Sequence, residues 1–176
     1  PQHPATHGVL RVELRTDGEI VRAARPHIGY LHRCFEKHCE NVDYNGVMPY
    51  ADRMDYCAAM GNTLGFALAV EKLHAIEVSP YVATIRVIMA ELQRIASHLI
   101  WLGTFGLDLG NFTIFMYCFR EREMILDILE MCAGQRMMTS YFRVGGLALE
   151  PPLGFFERVK KFADRFPEKV DEYEDL

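Results

Sequence analysis

The stretch Thr84-Ile-Arg-Val-Ile-Met-Ala-Glu-Leu-Gln-Arg-Ile-Ala-Ser-His-Leu-Ile-Trp-Leu-Gly103 decides the fold of this chain. Large apolar residues recur along it every three or four positions, at Ile85, Ile88, Leu92, Ile95, Leu99 and Leu102. This spacing gives a helix one apolar face, and it predicts a long helix over residues 84–103. The polar positions are Arg86, Glu91, Arg94 and His98. Glu91 and Arg94 stand at contact spacing, so we interpret these residues as a structural network.

Helical patterns also occur on both sides of this stretch. Asp52 is a suitable N-cap, which predicts a helix over residues 53–73 with Arg53 and Tyr56 in its first turn. Another helix is predicted over residues 113–133, where Gly134 ends the pattern.

The segment over residues 99–119 is long enough to cross a membrane, and Asp108 is its only charge. Glycines interrupt the segment, and Leu-Asp-Leu-Gly-Asn is typical of a turn. We therefore reject a membrane span and predict two buried helix ends joined by a buried loop. A carboxylate in such surroundings needs a partner or a shifted pKa. For Asp108, a structural role as a helix N-cap and a functional role both remain open.

The N-terminal part is predicted to be a loop followed by a β-hairpin over residues 9–28. Apolar and charged residues alternate from Leu10 to Arg15, which is the period of a strand with one buried face. Thr16-Asp17-Gly18 supplies the turn chemistry. The return strand covers residues 20–24 and is ended by Pro26.

The remaining segments complete a mainly α fold with a small N-terminal β-hairpin. A short helix is predicted over residues 30–40 and a loop over residues 41–51, which are rich in Asn, Gly and Pro. An amphipathic helix follows over residues 153–166, and another starts after Pro167. We expect two parts, a loop and hairpin over residues 1–28 and a helical domain over residues 29–176 that is truncated at its C-terminal end.

Composition excludes several classes of protein. The 176 residues carry a formal net charge of −5, which argues against a nucleic-acid or anionic-lipid surface. Five cysteines form no C-x-x-C pair, which indicates reduced thiols. No G-x-S-x-G, P-loop or G-x-G-x-x-G motif occurs. No cysteine or histidine spacing predicts a zinc or iron–sulfur site, so we expect no metal site in this chain.

The residues that could carry chemistry lie at predicted loop–helix junctions: His7, Arg33, Arg53, Tyr56, Asp108 and Arg136. Pro4 and Gly8 favour a shaped loop around His7, although a frayed terminus is an alternative. Tyr56 could point into a cleft or cap the core. A neutral histidine and a tyrosine are suitable donors to the two ends of a small carbonyl compound. An aspartate behind the histidine would orient it.

A series of sequence motifs indicates which protein family the chain resembles. In order, they are Pro1-Gln-His-Pro-Ala-Thr-His-Gly-Val-Leu-Arg, His27-Ile-Gly-Tyr-Leu-His-Arg, Arg53-Met-Asp-Tyr, Leu68-Ala-Val-Glu-Lys-Leu, Ile85-Arg-Val, Leu107-Asp-Leu-Gly, Phe119-Arg-Glu-Arg-Glu and Arg143-Val-Gly-Gly. Together they resemble the D subunit, the 49-kDa-type subunit, of respiratory complex I (NADH–quinone oxidoreductase). The resemblance covers nearly the whole chain, which looks like the N-terminal half of that subunit without its extreme N-terminus.

The resemblance implies a site for the head group of ubiquinone or menaquinone. His7 and Tyr56 would hydrogen-bond the two quinone carbonyls, and Asp108 would pair with His7. Arg53 would lie near the terminal iron–sulfur cluster, which the neighbouring B subunit carries, and Arg33 is a position of arginine methylation in some members.

The resemblance also implies partners and a location. The partners would be the B subunit, the C subunit and the membrane H subunit, with NAD bound elsewhere in the complex. The location would be the cytoplasmic side of the bacterial plasma membrane, or the matrix side of the mitochondrial inner membrane in a eukaryote. An isolated fragment would be inactive, because the cluster and the flavin belong to other chains.

Two departures and two alternatives bear on this interpretation. The family is similar to the large subunit of [NiFe] hydrogenases, which implies β-structure packed on a helical bundle. A nickel site would need a C-x-x-C pair near Arg53, and only Cys57 stands there. Many members have a histidine where Met138 stands, so we expect a cluster potential with a weak pH dependence. The alternatives are a large subunit of a membrane-bound hydrogenase or a ferredoxin-dependent relative, and a non-enzymatic scaffold.

Overall fold

A computed structural model describes residues 11–176 of the protein. The chain divides into two compact units, one that ends at Glu40 and one that covers Asn41–Leu176. It is mainly helical, with a small two-stranded antiparallel sheet in the first unit, as the sequence predicted. The predicted division after residue 28 stays a prediction.

In its described residues, the first unit contains a β-hairpin and a short helix. β1 (Arg11–Asp17) pairs with β2 (Ile20–His27), and the two-residue turn places Gly18 at a φ of +61°. The hairpin and its turn are confirmed, but Pro26 lies inside β2, opposite Val12. The prediction that Pro26 ends the strand was therefore wrong, since β2 continues to His27. Proline has no N–H to donate, but an edge strand tolerates this.

Two further predictions for this unit need correction. The predicted helix over residues 30–40 is limited to α1 (Phe35–Cys39). The side chains of Val12 and Leu14, which were expected on a buried face, are 46% and 53% exposed. Alternation along a strand shows which residues share a face, but it does not show what covers that face.

The second unit is built on two long antiparallel helices, α4 (Pro80–Asp108) and α5 (Phe112–Ala133). Before them come α2 (Tyr44–Ala51) and α3 (Ala59–His74). After them come the short strands β3 (Phe142–Arg143) and β4 (Gly146–Leu147), and then α6 (Phe155–Glu174). Buried side chains from α4, α5, α6, β3 and the residue before β3 form one core, which includes Ile85, Met89, Leu99, Ile125, Leu129, Tyr141, Phe142, Phe155 and Phe162.

The predicted loop over residues 41–51 is instead the helix α2. Its N-cap, Asp43, accepts a hydrogen bond of 2.7 Å from the Gly46 N–H, and Met48 on its inner face is buried. Burial and capping therefore outweigh the cost of Pro49 inside the helix. Asp52 is the C-cap of α2 and not the N-cap of the next helix, which begins at Ala59.

α4 is longer than predicted at both ends. The Ser79 hydroxyl caps it by accepting from the Val82 N–H, and the helix continues through Gly103 and Gly106 to Asp108. Gly103 and Gly106 do not break α4. Because they have no side chain, they allow α5 to approach closely. A Cβ on Gly106 would overlap Cγ2 of Ile114.

The connection between α4 and α5 is short and exposed, so the prediction of a buried loop was wrong. Leu109 in this connection is 72% exposed, and Asp108 is exposed at the end of α4. The N-cap of α5 is Asn111, whose side chain accepts from the N–H groups of Thr113 and Ile114. Asp108 therefore does not have the capping role that was one of its two interpretations.

α6 is continuous through Pro167, although a break was predicted there. Phe155, Phe162 and Tyr173 are buried along one side of it. The Tyr173 hydroxyl donates a hydrogen bond of 2.8 Å to the buried Glu121 carboxylate of α5. Contacts on both sides of the proline hold the helix against α5 and stabilise it more than one lost backbone hydrogen bond destabilises it.

The close approach of α4 and α5 can be tested with a pair of glycine substitutions. Gly106→Ala should destabilise the protein by about 1–3 kcal/mol, because the new methyl group must displace the side chain of Ile114. Gly61→Ala is the matched control, since Gly61 also lies inside a helix but a Cβ there meets no atom within 4 Å. The control should stabilise by about 0.5–1 kcal/mol. Denaturant unfolding measures both changes, and equal effects would contradict the role assigned to Gly106.

Candidate functional site

The structure places the predicted site residues in three different parts of the chain. Arg33 is exposed in the first unit. Arg53 and Tyr56 lie in the second unit, in the connection between α2 and α3, and Asp108 ends α4. His7 lies outside the described residues. Of the predicted set, the described structure therefore brings Arg53 and Tyr56 together on one segment, residues 52–58, here called the connecting segment.

The connecting segment presents its tyrosine to solvent. Tyr56 is 51% exposed, so the interpretation of Tyr56 as a core residue is wrong for this chain. Arg53 is also exposed, and its Nη1 donates a hydrogen bond of 2.7 Å to the Pro49 carbonyl. Neither residue lies in the first turn of a helix, because the segment consists of turns that end at Ala58.

A buried carboxylate holds the start of the connecting segment. Asp52 is 0% exposed, and its Oδ2 accepts a hydrogen bond of 2.6 Å from the Ser140 N–H and another from the Ser140 hydroxyl. Burial raises the pKa of Asp52, while the hydrogen bonds from Ser140 and the nearby charges of Arg53 and Arg143 act in the opposite direction. Asp52 thus joins the connecting segment to a loop 88 residues later in the chain.

The buried side-chain amide of Gln93 fixes the chain at the other end of the connecting segment. Gln93 of α4 is 3% exposed, and its Oε1 accepts a hydrogen bond of 2.5 Å from the Met60 N–H at the start of α3. Its Nε2 donates a hydrogen bond of 3.1 Å to the Met137 carbonyl. Asp52 and Gln93 therefore both connect residues 52–60 to residues 137–140, here called the supporting loop.

The supporting loop is itself fixed at its beginning by an ion cluster. The Arg136 guanidinium contacts three carboxylates of α5: those of Glu123, of Asp127 at 3.0 Å and of Glu130 at 3.3 Å. Arg136 was a candidate for chemistry in the sequence, but these contacts give it a structural role in the described part of the chain.

Beyond the supporting loop, a buried ion pair fixes the turn between β3 and β4. Arg86 donates hydrogen bonds to both oxygens of Glu71, at 2.9 and 2.6 Å, and to the carbonyls of Arg143 and Gly146. The Gly145 N–H donates to Glu71 at 2.7 Å. The hydrogen bonds from Arg86 hold the pKa of Glu71 below its usual value.

The chemistry available to the cysteine of the connecting segment is limited. Burial raises the pKa of the Cys57 thiol, and the nearby Asp55 adds to this effect. The thiol is therefore protonated at neutral pH and is a poor nucleophile. Within residues 11–176, no cluster of three or more His, Cys, Asp or Glu side chains could hold a metal ion.

Sequence reasoning missed the residues that position this site. Glu71 and Arg86 were parts of quoted motifs, but Arg86 was interpreted only as a polar position within a structural network, without its partner Glu71, and Gln93 was not considered. A charged or amide residue on the apolar face of a predicted helix is a detectable signal, since burial of such groups requires partners. The partners themselves could not be found, because they lie far away in the sequence.

Comparison with known proteins agrees with the motifs. A family model described as the 49-kDa subunit of respiratory-chain NADH dehydrogenase matches residues 108–176. A D subunit of NADH-quinone oxidoreductase from Koribacter versatilis is 60% identical over all 176 residues. The corresponding D subunit from Chlorobium luteolum is 57% identical over 170 residues. This chain belongs to the D-subunit family.

The chain corresponds to only part of each relative. The alignment with the Koribacter protein covers 100% of this chain but 44% of the relative, and that with the Chlorobium protein covers 97% and 43%. This chain spans less than half the length of these D-subunit relatives, so the comparison covers less than half of each. In the described part of the chain, no helix is both long and apolar enough to span a bilayer.

The anchor at Glu71 leads to a stability prediction. Glu71→Gln should destabilise the protein by about 3 kcal/mol, because it leaves the buried Arg86 without its counter-charge. Glu91→Gln is the control, since Glu91 pairs with Arg94 at an exposed site and should cost less than about 1 kcal/mol. Denaturant unfolding at neutral pH measures both changes, and similar values would show that Arg86 does not depend on Glu71.

The same pair predicts a pH dependence of stability. The pKa of Glu71 is lower in the folded protein than its ordinary value of about 4.3. Its contribution is therefore complete above that value and is lost as the pH falls through the folded pKa. Unfolding measured between neutral and acidic pH should show a smaller loss of stability in Glu71→Gln than in the wild type. An unchanged acid dependence would argue against the pair.

Proposed function

We propose that this chain forms the quinone-binding part of the D subunit in the peripheral arm of a proton-translocating NADH–quinone oxidoreductase. The observation that carries the proposal is the exposed Tyr56, presented on a segment with buried anchors inside a chain that matches D-subunit relatives along its whole length. A half-exposed phenol on a fixed segment suits a donor that must meet a ligand outside the core.

The proposed chemistry is hydrogen bonding and proton donation to a quinone head group. Tyr56 and His7 would each donate to one of the two carbonyl oxygens, and Asp108 would orient His7 and stabilise its protonated form. Asp108 is exposed at the surface of the second unit, where α4 ends. The substrate would be ubiquinone or menaquinone.

The electrons would come from an iron–sulfur cluster in a neighbouring subunit. In this proposal Arg53 and Arg33 lie near that cluster, and this chain binds no cluster by itself. The partners are the B, C and membrane H subunits, with NAD bound elsewhere in the complex and proton translocation coupled through other subunits. The chain would be peripheral on the cytoplasmic side of the plasma membrane, or on the matrix side in mitochondria.

An exposed apolar surface supports a role inside a larger assembly. Large apolar side chains are exposed around the end of the α4–α5 pair, at Trp101, Phe105, Leu109, Phe112 and Met116. Contiguous exposed apolar side chains are typical of surfaces that bind other proteins. We therefore expect that the chain does not catalyse the reaction alone.

The hydrogenase alternative receives less support. Its nickel site would need paired cysteines, and the connecting segment has only Cys57. A fold like that of the hydrogenase large subunit remains part of the proposal. Nickel analysis of the full-length protein in its complex would distinguish the two functions.

Replacement of Tyr56 tests the proposed site. In the assembled complex, Tyr56→Phe should lower quinone reduction by NADH about five- to tenfold, since one hydrogen bond to the head group contributes about 1–1.5 kcal/mol. NADH oxidation by an artificial acceptor that takes electrons upstream should not change. Tyr81→Phe is the control, because Tyr81 is 49% exposed and its hydroxyl donates to Glu150.

Each outcome of this experiment has a definite meaning. Loss of quinone reduction with Tyr56→Phe alone supports the quinone site. Unchanged quinone reduction would remove Tyr56 from the site. Equal loss of both activities, together with poor assembly, would instead favour the scaffold interpretation.

Met138 leads to a separate prediction about the cluster. Methionine cannot bind a proton, so the midpoint potential of the neighbouring cluster should depend weakly on pH. Met138→His should make this dependence steeper, because an imidazole near a redox centre binds a proton more readily when the centre is reduced. Redox titration of the complex at several pH values measures the slope. A steep slope in the wild type would contradict the prediction.

A further inference from the structure

The buried carboxylate of Asp52 has few hydrogen-bond partners for a buried charged group. Asp52 is 0% exposed, and its hydrogen bonds from Ser140 both reach one oxygen, Oδ2. The other oxygen, Oδ1, is buried and has no hydrogen-bond partner in residues 11–176. A buried carboxylate with a half-satisfied set of partners is costly, and an apolar residue of similar size often stabilises such a position better.

The partner of Asp52 is also held in an unfavourable conformation. Ser140 has a φ of +40°, in the left-handed region that residues with a Cβ avoid. Its carbonyl accepts a hydrogen bond from Nη1 of Arg143. Conformations of this kind persist when surrounding contacts determine them, and they are concentrated at functional sites. The contact between Asp52 and Ser140 therefore restrains the backbone of both the connecting segment and the supporting loop.

The position of this contact indicates what it controls. Asp52 directly precedes Arg53 and stands four residues before Tyr56. Tyr56 is half-exposed, so core packing does little to determine where its hydroxyl lies. The hydrogen bonds that hold the connecting segment contribute to this position: Asp52 accepts from Ser140 at one end, and Met60 donates to Gln93 at the other. Between these ends, the Asn62 side chain donates to the Asp55 carbonyl at 3.2 Å.

We propose that Asp52 is a positioning residue, whose carboxylate sets the place of the Tyr56 hydroxyl by fixing the connecting segment to Ser140. This inference rests on the proposed function, in which Tyr56 donates a hydrogen bond to a quinone. Donor and acceptor must come within about 2.6–3.2 Å for that bond, and a displacement of about 1 Å can cost up to a hundredfold in rate. Asp52 does not touch the quinone and acts only through Tyr56.

The test uses the assembled complex with the full-length subunit and a soluble short-chain quinone. Asp52→Ala should raise the KM for the quinone and lower kcat/KM about tenfold, while NADH oxidation by the upstream acceptor stays unchanged. Asp52→Asn should have a smaller effect, since its amide oxygen can still accept from the Ser140 N–H. Ser140→Gly keeps that N–H, removes the hydroxyl and suits the positive φ, so it should also have a smaller effect.

A double-mutant cycle separates positioning from general destabilisation. If Asp52 acts through the Tyr56 hydroxyl, Asp52→Ala should lower kcat/KM much less in a Tyr56→Phe background than in the wild type. Asp43→Ala is the matched control, because Asp43 caps the opposite end of the same helix, α2, through the Gly46 N–H. It should weaken the helix without a change in the KM for the quinone.

The outcomes distinguish failure of this inference from failure of the proposed function. If Tyr56→Phe alone leaves quinone reduction unchanged, the proposed function fails, and the inference fails with it. If Tyr56→Phe lowers quinone reduction but Asp52→Ala has no effect, or the same effect in both backgrounds, only the positioning role is overturned. Should Asp52→Ala fail to assemble, Asp52→Asn and Ser140→Gly decide by the same cycle, and additive effects would overturn the role.

Discussion

The guanidinium of Arg86 is the group on which the arrangement of the second unit depends. It is 3% exposed near the start of α4, and it donates hydrogen bonds to Glu71 of α3 and to the carbonyls of Arg143 and Gly146. A buried cation without such partners would be strongly destabilising. The requirement to satisfy Arg86 therefore places α3, α4 and the β3–β4 turn together around one side chain. Glu71, Arg86 and Arg143 belong to three different motifs of the series, so these motifs are parts of one supporting structure and not separate sites.

This constraint extends to the candidate site through the supporting loop. The loop lies between the Arg136 ion pairs just before its start and the Arg86 contacts beyond its end. Gln93 and Asp52 then hold the connecting segment against it. The motif Arg53-Met-Asp-Tyr, by which the chain resembles its family, falls on that segment. Buried hydrogen bonds thereby hold the segment that carries the exposed Tyr56.

The sequence alone determined the features that depend on neighbouring residues. The apolar period predicted most of α4 and α5, the Asp17-Gly18 pair predicted the hairpin turn, and Gly134 predicted the end of α5, where it has a φ of +71°. The motif series predicted the family, because eight short matches in a fixed order are specific even without a structure. It also pointed to the segment that carries Arg53 and Tyr56.

The tertiary structure alone decided which polar residues are buried and what they bind. Asp52, which was predicted to be a helix N-cap, is a buried carboxylate that binds Ser140. Residues 44–51, which were predicted to be a loop, form α2, and Asp108 is exposed. The physical reason is the distance along the chain between partners. Helix and turn patterns report contacts within about four residues, whereas Arg86 and Glu71 are 15 residues apart and Asp52 and Ser140 are 88 apart. The packing of whole helices determines such pairs, and a local sequence pattern does not show which distant residue will be the partner.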